Sequence, residues 1–63
     1  MIVQFQDIVT GTPVYINPAF VATFRPDPED PDRATDVKLR DGEMLRVLGD
    51  HRQVADKLAP LPT

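Results

Sequence analysis

Residues Thr35 to Leu48, TDVKLRDGEMLRVL, decide how this chain folds. Two runs of strand-favouring residues flank Asp41-Gly42, the pattern of a β-hairpin. The register of that hairpin fixes which face is buried, because a slip of one residue exchanges the two faces. A two-residue turn at Asp41-Gly42 pairs Arg40 with Glu43 and splits the apolar set, Val37 and Leu39 facing away from Leu45 and Val47. A three-residue loop instead runs a type I turn through Arg40 and Asp41, with Gly42 left-handed as a G1 bulge. Leu39 then pairs with Glu43, Val37 with Leu45 and Thr35 with Val47. One face carries Val37, Leu39, Leu45 and Val47; the other carries Asp36, Lys38, Arg40, Met44, Arg46 and Leu48. The bulged register keeps the apolar set together, so it is the one expected.

The segments before the hairpin read as strands that pair with it. Met1 to Val9 alternates, with Met1, Val3 and Phe5 on one face and Ile2, Gln4 and Gln6 on the other. Asp7 breaks the alternation and Ile8-Val9 resumes it out of phase, which predicts a bend near Asp7. Thr10-Gly11-Thr12-Pro13 is a turn, and Val14 to Asn17 a short second strand. Asn17-Pro18 ends it, since the residue before proline leaves the α region and Asn caps a following turn. One helical turn at Pro18-Ala19-Phe20 follows. Val21 to Arg25 is a third strand, expected beside the first strand of the hairpin. Both of its parities are partly apolar, so its core face stays open. The four aromatics, Phe5, Tyr15, Phe20 and Phe24, are expected in the core.

Residues 26–34, PDPEDPDRA, allow neither strand nor helix at that proline density and predict a stiff, solvated acidic loop. Beyond the hairpin, Asp50 is the N-cap candidate of a helix over about residues 50–59, with Gln53 at capping-box spacing. Val54, Ala55 and Leu58 give it one apolar face, Pro60 ends it and Pro62 keeps the tail extended. So short a helix is marginal alone and must dock on the sheet.

A chain of 63 residues is a single small domain near the lower limit for folding without staples, and it has no cysteine to supply one. Oligomerisation is a further source of stability at this size. A cysteine-free chain without an apolar run near ~20 residues or a signal peptide predicts no membrane span and a cytoplasmic location. Seven basic against ten acidic residues, a net charge of −3, argue against non-specific nucleic-acid binding.

No constellation predicts catalysis. His51 is the single histidine, on the first turn of a surface helix, and triad, metal and P-loop patterns are missing. The chain is therefore expected not to be an enzyme and to need no cofactor. Asp27, Glu29, Asp30 and Asp32 offer oxygen ligands but lack EF-hand glycine and spacing, so a solubilising loop is expected before a metal site. Lys38, Arg40 and Arg46 share the outer hairpin face, with Arg25 and Arg33 as neighbours, and a basic sheet face can meet phosphates. Asp36 on that face and the lack of stacking aromatics in the hairpin count against it. Met44 and Leu48 are the more informative residues, because apolar groups on an otherwise wet face mark a contact surface.

The order of elements resembles the FlbD family of small flagellar proteins. The shared features are an opening strand, a Gly11-led turn into a short strand ending Asn17-Pro18, and Val21. The Leu39–Asp41-Gly42 hairpin, Val47 and a final amphipathic segment around Val54 and Leu58 complete the set. The DNA-binding domains of LytTR response regulators show a similar order of asparagine, hairpin glycine and terminal helix. The chain departs from the first family by carrying PDPEDPDRA where a short turn is usual. The resemblance implies a fold more than a role and supplies no catalytic residues.

These readings converge on a mainly β (α+β) domain: about five short antiparallel strands in a small curled sheet or SH3-like barrel, with one C-terminal helix. The expected function is that of a non-catalytic regulatory or accessory protein binding another protein or a second copy of itself. Its contact surface is Lys38, Arg40, Met44, Arg46 and Leu48. The alternative is a nucleic-acid-binding module of LytTR-like type that uses the same basic residues.

Overall fold

The computed structural model describes residues 1–58. Five strands and one α-helix follow in order: β1 (Val3–Gln6), β2 (Pro13–Ile16), a 3-10 turn (Pro18–Phe20), β3 (Val21–Pro26), β4 (Ala34–Leu39), β5 (Met44–Leu48) and α1 (His51–Leu58). All pairings are antiparallel, in a two-stranded sheet β1-β2 and a three-stranded sheet β3-β4-β5. The sheets meet through a single bridge, Asp7 to Val47, and do not close into a barrel.

The hairpin takes the bulged register: Thr35 faces Val47 and Val37 faces Leu45. Leu39 N–H donates to Glu43 O at 2.8 Å, and Gly42 N–H to Leu39 O at 3.0 Å. Gly42 sits at φ +92°, where a Cβ would be strained. Val37 and Val47 are fully buried, while Leu39 and Leu45 pack against the same cluster. Phe5, Ile16, Val54 and Leu58 complete it, so β1-β2 and α1 cover one face of the three-stranded sheet. Each fully buried valine contributes about 2 kcal/mol of transfer free energy.

The bend at Asp7 is present and shortens the first strand to Val3–Gln6. Asp7 turns the chain: its carbonyl accepts from Gly11, its N–H donates to Thr12 O, and its Oδ1 accepts from Val9 N–H at 2.8 Å. Pro13 opens β2 instead of ending the turn, and β2 stops at Ile16. Asn17 Oδ1 then caps the 3-10 turn by accepting from Ala19 N–H at 3.0 Å. β3 pairs with β4 as expected, with a bulge at Ala22 and one further residue of pairing at Pro26.

Of the four aromatics only Phe5 reaches the core; Tyr15, Phe20 and Phe24 are exposed. Tyr15 lies opposite Gln4 on the outer side of the two-stranded sheet, which no element among the described residues covers. Phe24 faces the core side opposite Val37, but on edge strand β3 it is sheltered from one side only. Phe20 belongs to the 3-10 turn, which buries nothing.

The helix begins with the reciprocal capping box that its spacing predicts. Gln53 N–H donates to Asp50 Oδ1 at 2.9 Å, and Asp50 N–H to Gln53 Oε1 at 3.1 Å. Val54 and Leu58 form its buried stripe. Lys57 ties its last turn to β1 by donating to the Gln4 carbonyl and placing its ammonium 4.5 Å from the Phe5 ring centroid. The expectations for Pro60 and Pro62 lie outside the described residues. No helix among the described residues is long and apolar enough to cross a membrane.

Candidate functional site

Strand alternation and the observed pairings place three rows on the outer face of the hairpin sheet. Thr23, Lys38 and Met44 form one row; Arg25, Asp36 and Arg46 the next; Ala34 and Leu48 the last. Asp27 extends the last row, its N–H donating to Ala34 O at 3.1 Å. Ile8 joins the middle row, because its N–H donates to Arg46 O at 3.0 Å beside the Asp7–Val47 bridge.

The acidic loop does not stand away from the sheet. It turns back over this face through Asp30 N–H to Asp27 O and Ala34 N–H to Asp30 O, and Glu29 N–H donates to Asp27 Oδ1. Gly49 N–H donates to Arg33 O, and Thr35 Oγ1 to Gly49 O at 2.9 Å, which fastens the loop's far end to the start of the helix. Ala34 and Asp36 are buried beneath it although they point to the outer side, and Asp27 is 2% exposed. The expected solvated excursion holds for the loop's exposed carboxylates but not for Asp27.

Arg46 explains why a carboxylate is buried there. Its Nε lies 3.1 Å from Asp36 Oδ1 and 3.2 Å from Asp27 Oδ2, and its Nη1 lies 3.3 Å from Glu29 Oε1. The Asp36 hydrogen bond raises the Arg46 pKa above its usual value; desolvation opposes the rise, and the charges of Asp27, Asp36 and Glu29 add to it. Burying a carboxylate requires such a partner. No buried side-chain nitrogen or oxygen among the described residues lacks a hydrogen-bond partner. Arg46 is thus engaged within its own chain, which removes it from the set of residues free to meet a partner.

Lys38 and Arg40 stay exposed and, among the described residues, form no salt bridge. Met44 is 58% exposed beside Lys38. Leu48 lies about 13 Å further along the strand, with Arg46 between. There it lines a shallow groove with Phe5, Val54 and Lys57. The five residues grouped by strand parity therefore divide into an open end, an internal ion pair and a groove rim.

Two features were missed in the sequence. The Asp27–Arg46 pair spans nineteen positions, and no local spacing announces it. The exposed Ile8 and Val9 carried a legible signal: two β-branched apolar residues just before a Thr-Gly turn. Ile8 adds an apolar side chain beside Arg46, one row from Met44.

The edges at β3 and β2 are poor templates for an added strand. On β3, the bulge at Ala22 interrupts the ladder and Pro26 has no N–H. On β2, Pro13 does the same. A contact is thereby directed to the faces. His51 is exposed on the first turn of α1. Among the described residues no group of three or more His, Cys, Asp or Glu is placed to hold a metal ion; Arg46 fills the space between the three carboxylates.

Compared with known proteins, the chain matches no family model, no curated protein and no solved structure.

Proposed function

We propose that this chain is a non-catalytic interaction protein, a small regulatory or accessory factor that works by binding another protein or itself. The contact surface is the open end of the outer sheet face: Met44 with Lys38 and Arg40, extended by Ile8. Met44 carries the reading, being a large apolar side chain exposed on a sheet face whose other end is covered. An apolar group rimmed by charge fits a contact surface better than a catalytic one.

The test compares wild type with an Ile8→Ser/Met44→Ser variant as tagged bait in nuclease-treated lysate of the source organism. Loss of the captured protein at an unchanged thermal midpoint supports the reading. Identical capture by both proteins overturns it. Arg25, Lys38 and Arg40 favour a second reading, a nucleic-acid module. That reading requires nucleic acid to appear when nuclease is omitted, with binding that weakens steeply with salt.

A further inference from the structure

The outer face has two unlike halves, and their arrangement specifies what can cover it. At the Ala34 end the loop sits on top of the sheet as a raised ridge that presents Glu29 and Asp32 to solvent, with Asp30 half-buried between them and Arg33 exposed at its far end. At the other end the sheet is bare and presents Lys38, Arg40 and Met44. The ridge's exposed carboxylates therefore lie beside a lower floor that carries the basic Lys38 and Arg40, with Asp41 and Glu43 exposed at the hairpin tip beyond them.

We propose that this face pairs with the same face of a second copy of the chain. A half-turn about an axis along the border of the two halves sets each ridge on the other copy's floor. The acidic carboxylates then meet Lys38 and Arg40 twice, and the Met44 side chains are enclosed. Such self-complementarity is what an isologous interface demands. The edges at β2 and β3 are guarded, which favours face-to-face packing as the mode. A standard interface needs about 800 Å² per partner, roughly a fifth of the 4394 Å² of accessible surface, which one face can supply. The proposal rests on the interaction reading above and names its partner.

Charge reversal tests it in a way that misfolding cannot imitate. Lys38→Glu/Arg40→Glu makes ridge and floor both acidic; Asp30→Lys/Asp32→Lys makes both basic. Glu29 is left intact because it pairs with Arg46. Sedimentation of purified wild type is expected to show a monomer–dimer equilibrium that weakens with salt. Each variant alone is expected to stay monomeric, and an equimolar mixture of the two to restore the dimer, because both ridge–floor contacts are again of opposite charge. Three results overturn the proposal: a wild type that remains monomeric at every concentration, a dimer that survives both reversals, or a mixture that stays monomeric. Wild-type monomers that still capture a protein through Met44 would sink this inference and leave the interaction reading standing. Equal capture by the Ile8→Ser/Met44→Ser bait would sink that reading instead.

Discussion

At its Ala34 end the outer face of the hairpin sheet is roofed by residues 26–33, while at its Met44 end the same face meets solvent. The two ends belong to the same strands and obey the same alternation, yet one is an interior and the other a surface. The difference comes from Arg46, whose guanidinium holds Asp27 and Asp36 beneath the loop. A polar residue on an outward position is therefore no guide to exposure when a long loop follows the strand. On this comparison, substitutions of the buried groups at the roofed end change stability and spare association, and those of the exposed side chains at the open end do the reverse.

The largest effect is expected from Asp27→Ala, which removes the acceptor of Glu29 N–H and a buried partner of Arg46. A loss of about 2 kcal/mol is expected for a hydrogen-bonded buried charge, or about 10 °C in thermal midpoint at this chain length. Arg46→Met acts in the same direction by leaving two buried carboxylates unpaired. Adding Asp27→Ala to it is expected to cost less than the sum, because the residues share one network. Strict additivity would show that the two do not act together.

Ala34→Leu comes next. Ala34 is wholly buried on the outer side, so a larger side chain must lift the loop, at about 1–2 kcal/mol. Denaturant unfolding reads the loss, and limited proteolysis within the loop is expected to speed up. No change in either would mean that the roof is loosely fitted.

Gly42→Val places a β-branched residue at φ +92°, with open space around the new Cβ. The cost is thus backbone strain alone, about 1–2 kcal/mol. A neutral result would mean that the turn adopts another geometry, which shifts the register and exchanges the two faces.

Smaller effects sharpen the boundary between the ends. Glu29 is the exposed arm of the Arg46 cluster, with a side chain 79% exposed, so Glu29→Gln should shift stability by about 0.5 kcal/mol or less. Ile8→Ser/Met44→Ser lies at the open end and should change the thermal midpoint least of all, while removing association. A substantial fall in midpoint would instead make those side chains part of the packing.

The sequence by itself determined the local structure. The hairpin register followed from keeping Val37, Leu39, Leu45 and Val47 together around a glycine that alone tolerates the turn. The capping box at Asp50 and Gln53 fixed the helix start, and Asn17-Pro18 fixed the 3-10 turn. Each involves residues within a few positions of one another, where alternation, capping and φ preference are the deciding terms. Tertiary structure decided what covers each face. Among the described residues it left Tyr15 and Phe20 uncovered and Phe24 half-sheltered on an edge strand, and it kept the two sheets as separate layers joined at Asp7 and Val47. It also buried Asp27 beneath a loop that composition marks as solvated. The physical reason is that burial depends on which distant segment returns to a surface, and Arg46 makes that return favourable only once β5 has brought it beside Asp36.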